Sequence, residues 1–287
     1  MSYILFAIGY ILALLPLCIL YVLGGVLDLV LHYVVRYRRK VVEMNLRNAF
    51  PEKTSRELRR LRNRYYAHLS QIAVEMIKML LLPRKVLHRR YRCDCPEVVN
   101  RFYEEGKSVI LMSSHYNNWE WMILALDEMF AHHGVGVGKA NTDKVFEKLI
   151  NRVRTRYGTE VVFADTVRDT FERYAQANVP VAYMMLCDQS PNSKKKCYVT
   201  DFLHQRTGVI YGAEYFARKY DFPVLYYNVE KVRWGQYRVH LQVIAEHPND
   251  LPQYAITQRY VELLEADIRE NPSYWLWSHR RWKFKFE

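Results

Sequence analysis

The chain predicts an α/β fold: a single domain with a central sheet covered by helices, preceded by an N-terminal membrane helix and a helical collar. Three observations predict it. From about residue 107 onward, short apolar runs alternate with stretches of helical period, the mark of a sheet interleaved with helices. No internal repeat or flexible linker divides the 287 residues. Residues 1–27 carry no charged side chain, and the apolar run from Ile4 to Val35 is broken by Asp28 and His32. The expected division is 1–35 for the membrane segment and 36–287 for the folded domain, with 36–106 the collar and 107–287 the α/β core.

The first run is long enough to cross a bilayer, which takes about 20 residues at about 1.5 Å each. It exceeds the apolar part of a signal peptide and lacks a basic N-terminal flank, so it reads as a retained helix, spanning the bilayer or lying within one leaflet. A basic stretch follows at once: Arg36 to Arg64 holds eleven Lys/Arg against three acids, a net of +8 out of +12 for the whole chain. Bases beside a membrane segment place the body of the protein on the cytoplasmic side and attract anionic headgroups, at about 1 kcal/mol each. A charge of +12 alone admits nucleic acid as a partner, but a nucleic-acid-binding protein has no need of residues 1–35.

Thr54-Ser-Arg-Glu57 has the capping-box pattern. Leu58, Leu61, Tyr65, Leu69, Ile72, Met76, Ile77 and Leu80 then recur at helical spacing, predicting a long amphipathic helix that ends before Pro83. In the core, strands are expected at Ser108–Met112, Val135–Val137, Glu160–Phe163 and Val179–Leu186, and helices at Trp119–Phe130, Lys144–Arg156 and Val167–Ala177. A loop rich in Ser, Pro and Lys follows. Then come a helix from about Ile210 to Lys219, a strand Pro223–Val229, a hairpin through Trp234-Gly235 into Tyr237–Ala245, and a helix from about Tyr254 to Glu270.

The five cysteines, Cys18, Cys93, Cys95, Cys187 and Cys197, form no disulfide or zinc pattern, since Cys93-Asp-Cys95 has a single intervening residue. His132-His133 has no carboxylate or thiol at ligand spacing, so no metal is expected. There is no G-x-S-x-G elbow and no P-loop. The chemistry concentrates instead in Ile110-Leu-Met-Ser-Ser-His115-Tyr-Asn-Asn118-Trp-Glu120-Trp, where an apolar strand ends in polar groups just before a helix. Reactive side chains are commonly displayed at such strand ends. A histidine there can take a proton near neutral pH, and a nearby carboxylate can orient it. His115 and Glu120 are five apart, so they pair only if His115 precedes the first helical turn. The C-terminal Trp275, Trp277, Trp282, Phe284 and Phe286, interleaved with Arg280, Arg281, Lys283 and Lys285, suit a membrane interface or a lipid phosphate.

These segments carry a resemblance. His115-Tyr-Asn-Asn-Trp-Glu120 looks like the H-x4-D/E motif of glycerolipid and lipid A acyltransferases. Arg38 to Glu52, Asp188-Gln189, the stretch Phe202 to Pro223, and Pro272 to Lys283 with its Trp277-Ser-His279-Arg-Arg281 are similar, in order and over almost the whole chain, to the late acyltransferases of lipid A biosynthesis. The resemblance implies an α/β/α O-acyltransferase of the bacterial inner membrane, facing the cytoplasm. It would move a fatty acyl chain from acyl carrier protein, or a CoA thioester, to a hydroxyl of a lipid A precursor, with no further cofactor. The same chemistry on a lysophospholipid, an amino-acid lipid or another glycolipid is the alternative. His115 is the implied base and Glu120 its orienting carboxylate. Arg154 or Arg156 is implied to hold an oxyanion or phosphate, with Asp188 in support. Lys139 and Asn118 complete the implied substrate contacts. Val137-Gly-Lys139-Ala-Asn departs from the Tyr-Arg-Pro common in the family, replacing a planar fork with a point charge where a headgroup is recognised.

Overall fold

A computed structural model describes residues 2–286. The N-terminal run is two helices rather than one: α1 (Ser2–Ala13) and α2 (Leu17–Leu29), the latter running on through a π-helical turn at Val30–Val34. Pro16 is the cause. It has no N–H to continue α1, and its extended backbone starts α2 in a new direction.

Next come α3 (Arg39–Ala49) and the long α4 (Ser55–Met79). The capping box forms as expected: Glu57 N–H donates to the Thr54 hydroxyl, and Thr54 N–H donates back to the Glu57 carboxylate at 2.8 Å. Both α1 and α2 pack along α4. Lys78 donates to the carbonyls of Ala13 and Leu15 at 2.8 and 3.0 Å, which satisfies the end of α1. Segment 36–106 is not purely helical. Between α5 (Arg84–Arg90) and α6 (Glu97–Glu104) it supplies a short strand, β1 (Tyr91–Cys93), to the edge of the central sheet.

The core then alternates as predicted: β2 (Val109–Ser113), α7 (Trp119–Met129), β3 (His133–Gly138), α8 (Lys144–Arg154), β4 (Glu160–Phe163), α9 (Val167–Ala177) and β5 (Val181–Leu186). After a hairpin of β6 (Tyr198–Phe202) and β7 (Gln205–Val209) come α10 (Gly212–Tyr220), β8 (Val224–Arg233), β9 (Gln236–Ala245) and α11 (Ala255–Glu270). The main sheet runs β1-β9-β8-β2-β5-β3-β4, with every neighbouring pair parallel except β8 and β9. Strand β2 lies at its centre and is buried throughout, as a parallel strand covered on both faces must be. Its side chains alternate between two cores. Ile110 and Met112 join α3, α9, α10 and α11, while Val109 and Leu111 join α1, α4, α7 and α8.

The β6–β7 hairpin stands where only a loop was expected. Its two-residue turn is Leu203-His204, both with positive φ (51° and 61°). Such a turn ordinarily announces itself through Asn-Gly or a similar pair, and this one does not.

Candidate active site

The chain leaves β2 at Ser113, and six residues later α7 begins. Those residues are tied down on every side. Ser113 donates to the Tyr227 carbonyl at 2.8 Å and accepts from Tyr260 at its own carbonyl, also at 2.8 Å. Asn117 takes a left-handed conformation (φ 56°), donates its N–H to the Tyr274 carbonyl at 3.0 Å, and donates its amide to the Val229 carbonyl at 2.5 Å. Asn118 caps α7, accepting from Trp121 N–H at 2.9 Å, and its amide donates to the buried Glu75 at 2.7 Å. A loop fixed this way holds His115 in one place.

His115 keeps 16% of its side-chain surface open. Its Nδ1 lies 2.8 Å from Asp188 Oδ1, and its backbone N–H donates to Asp188 Oδ2 at 3.1 Å. That second oxygen also accepts from the Trp275 indole at 2.9 Å. Burial pushes the Asp188 carboxyl up, but the His115 imidazole and the three hydrogen bonds more than reverse this and hold it below its ordinary value. With Nδ1–H given to the carboxylate, Nε2 carries the lone pair. It faces the Gln189 amide nitrogen at 3.1 Å, with the Trp119 ring 5.4 Å away. This is a histidine set to accept a proton at Nε2.

Sheet register produces the pairing. Ser113 on β2 aligns with Leu186 on β5, so two residues further on His115 stands beside Asp188. Glu120, the expected partner, does not hydrogen-bond the imidazole. It lies buried in the first turn of α7 and is gripped by Arg154 from the end of α8, Nε at 2.8 Å and Nη2 at 2.6 Å. Burial pulls the Arg154 guanidinium down and the Glu120 charge overrides it, so the cation is held above its usual value. Arg156 stands apart from His115. It donates to the carbonyls of Met79, Leu80 and Leu82 at 2.6–2.8 Å, closing the end of α4. Lys139 is exposed just past β3. Asn118 spends both ends of its amide on the fold.

The first part of the C-terminal segment packs into the site. Trp275, Trp277 and Arg281 are buried. Asn45 on α3 donates to the carbonyls of Trp277 and His279 at 2.9 Å, and Ser190, two residues past Asp188, donates its N–H to His279 Nε2 at 3.2 Å. Burial lowers His279 to about 4 and Arg281 to about 10. Arg281 donates to Thr207 at 2.8 Å and lies 5.6 Å over the Phe202 ring. Trp275, Gln189 and His279 are functional candidates whose roles the linear sequence did not reveal, although all three fall inside the motifs singled out above. Glu75 is a fourth, and its only signal was an acid in the apolar stripe of α4.

A strand-end histidine backed by a buried carboxylate, on an α/β sheet closed by its own C-terminal segment, is an arrangement suited to moving a proton during group transfer. The chain belongs to the bacterial lipid A biosynthesis acyltransferase family, whose model matches residues 1–284. It is an enzyme of acyl transfer in lipid A biosynthesis. A comparison with curated proteins finds no match.

Proposed function

We propose that this enzyme moves a fatty acyl chain from the thioester of acyl carrier protein, or a related thioester, to a hydroxyl of a lipid A precursor at the cytoplasmic face of the inner membrane. The observation that carries the reading is the His115–Asp188 pair at 2.8 Å, with Nε2 turned away from the carboxylate and met by the Gln189 amide at 3.1 Å. The acceptor hydroxyl takes the position now filled by the Gln189 amide. Its oxygen attacks the thioester carbonyl as Nε2 removes its proton, and Asp188 stabilises the imidazolium. Collapse of the tetrahedral intermediate breaks the C–S bond, and the imidazolium returns the proton to the leaving thiolate. Glu120 acts through Arg154, fixing a cation near the site; a positioned cation of this kind stabilises developing negative charge.

Leu17–Val34 supports the membrane reading. It is the one helix among the described residues long and apolar enough to cross a bilayer, and Val22, Val26 and Leu29 on it are exposed. Arg36, Arg38, Arg39 and Lys40 follow it directly.

Mass spectrometry of lipids from cells lacking the protein tests the acceptor. Lipid A one chain short is the expected result. Unchanged lipid A together with a chain missing from another lipid class would overturn it.

A further inference from the structure

We infer that the hollow between α2, α4 and the β8–β9 hairpin is a binding site for a zwitterionic phospholipid headgroup, a phosphodiester beside an ammonium, separate from the reacting centre. The inference rests on the reading of α2 as a lipid-facing helix.

The hollow encloses about 280 Å³. Arg64 and Lys231 line it, and among the described residues neither is within ion-pair distance of a carboxylate, although the Glu75 charge still acts on Lys231. Lys231 donates to Gln71 and sits 5.3 Å over the Tyr274 ring, leaving ammonium protons to spare. His68 lines it too. It is only 6% exposed, both of its ring nitrogens lack a partner, and its ring rests on Tyr274 at 4.7 Å. Buried polar nitrogens without a protein partner are uncommon, and a pair on one side chain calls for a ligand group or ordered water. From α2, Asp28 also lines the hollow, and its Oδ1 is buried and equally unpartnered.

The nearby Glu75 does not fill this need. It already accepts from Tyr21, Gln71, Asn118, Gly235 and Tyr237. The hollow thus offers two cations and a neutral donor from α4 and β8, and from α2 a carboxylate with one unpartnered oxygen. That matches a phosphate with an ammonium a few atoms away, and it does not match a simple anion, which Asp28 would repel. Gly25 opens the entrance: a Cβ there would meet nothing within 4 Å. The exposed apolar face of α2 continues from it, giving acyl chains a track. The site is distinct from the catalytic one because Tyr274 forms its wall, and the next residue, Trp275, points to Asp188 on the other side.

The test is saturable binding of lysophosphatidylethanolamine to the full-length protein in non-ionic detergent, read by native mass spectrometry, in wild type and in the His115→Ala background so that turnover plays no part. Lys231→Met and Gly25→Leu should each weaken binding about tenfold, with unfolding temperatures compared to confirm that the variants are folded. Asp28→Asn should erase the preference for lysophosphatidylethanolamine over lysophosphatidylglycerol. Unchanged affinity in folded Lys231→Met and Gly25→Leu would overturn the site. So would full displacement by inorganic phosphate, which would assign the hollow to a free anion, or a hollow that takes up no lipid and holds water alone. Flotation of the same protein with vesicles tests the lipid-facing helix by itself. A protein that floats yet fails the binding test refutes the headgroup site and leaves the membrane reading standing.

Discussion

His115 and Glu120 share a motif but not a contact, and each has a different consequence when changed. Removing the Asp188 charge leaves the imidazole without the group that orients it. Asp188→Asn is therefore expected to lower kcat by about 10²–10⁴, as loss of an orienting carboxylate does. Trp275→Phe removes one of the hydrogen bonds to the same carboxylate, so a loss of about tenfold is expected, the worth of one bond to a charged group. Glu120→Gln should show first in stability. It leaves the largely buried Arg154 without its anion, at a cost of about 3 kcal/mol. Urea unfolding checks this, and an unchanged midpoint would contradict the pairing. At this scale the sequence made every participant visible except their pairing. His115, Asp188 and Trp275 all stand in recognisable motifs, but they are 73 and 160 residues apart, and only the register of β2 against β5 and the return of the C-terminal segment bring them together.

The strands and helices of the core follow closely from period and punctuation, because each has an apolar face of its own. The departures have local causes that period does not report. Pro16 divides an otherwise uniform apolar run. Leu203-His204 makes a tight turn from residues that seldom adopt positive φ. Tyr91–Cys93 is too short to show alternation and becomes a strand only because β9 offers an edge. Gly158 offers a local test of this packing. It sits at φ 110° in the turn between α8 and β4, and a Cβ there would clash with Asp127 Oδ2. Asp127 in turn accepts from Gly134 N–H at 2.7 Å and meets His133 Nδ1 at 2.8 Å, which pins β3 to α7. Gly158→Ala should therefore destabilise the protein by about 1–3 kcal/mol, seen as a lower unfolding midpoint. A midpoint equal to wild type would show that Asp127 yields without cost.

For the whole molecule, burial of histidines sets the response to acid. His132 and His279 are each lowered to about 4 by burial, and His68 is driven well below its ordinary 6.5. The unfolded chain protonates these groups near 6.5 while the folded protein keeps them neutral. Their contribution to stability is thus complete above about pH 6.5 and is lost as the pH falls toward 4. Asp267 opposes this: burial raises it to about 6, so its proton favours the folded state over the same range. Three groups outweigh one. The unfolding temperature should drop as the pH goes from 7 to 4, and a flat profile would contradict the burial of these rings. The +8 of the stretch from Arg36 to Arg64 governs association instead. If it meets an acidic carrier protein, added salt should raise the KM for the acyl donor and leave kcat in place.

The most direct test of the central claim is single-turnover acyl transfer by the purified protein, with labelled acyl carrier protein thioester and a lipid A precursor, comparing wild type with His115→Ala. Wild type should yield a product heavier by one acyl chain, and the variant a rate at least about a hundredfold lower. Equal rates from the two proteins would contradict the claim.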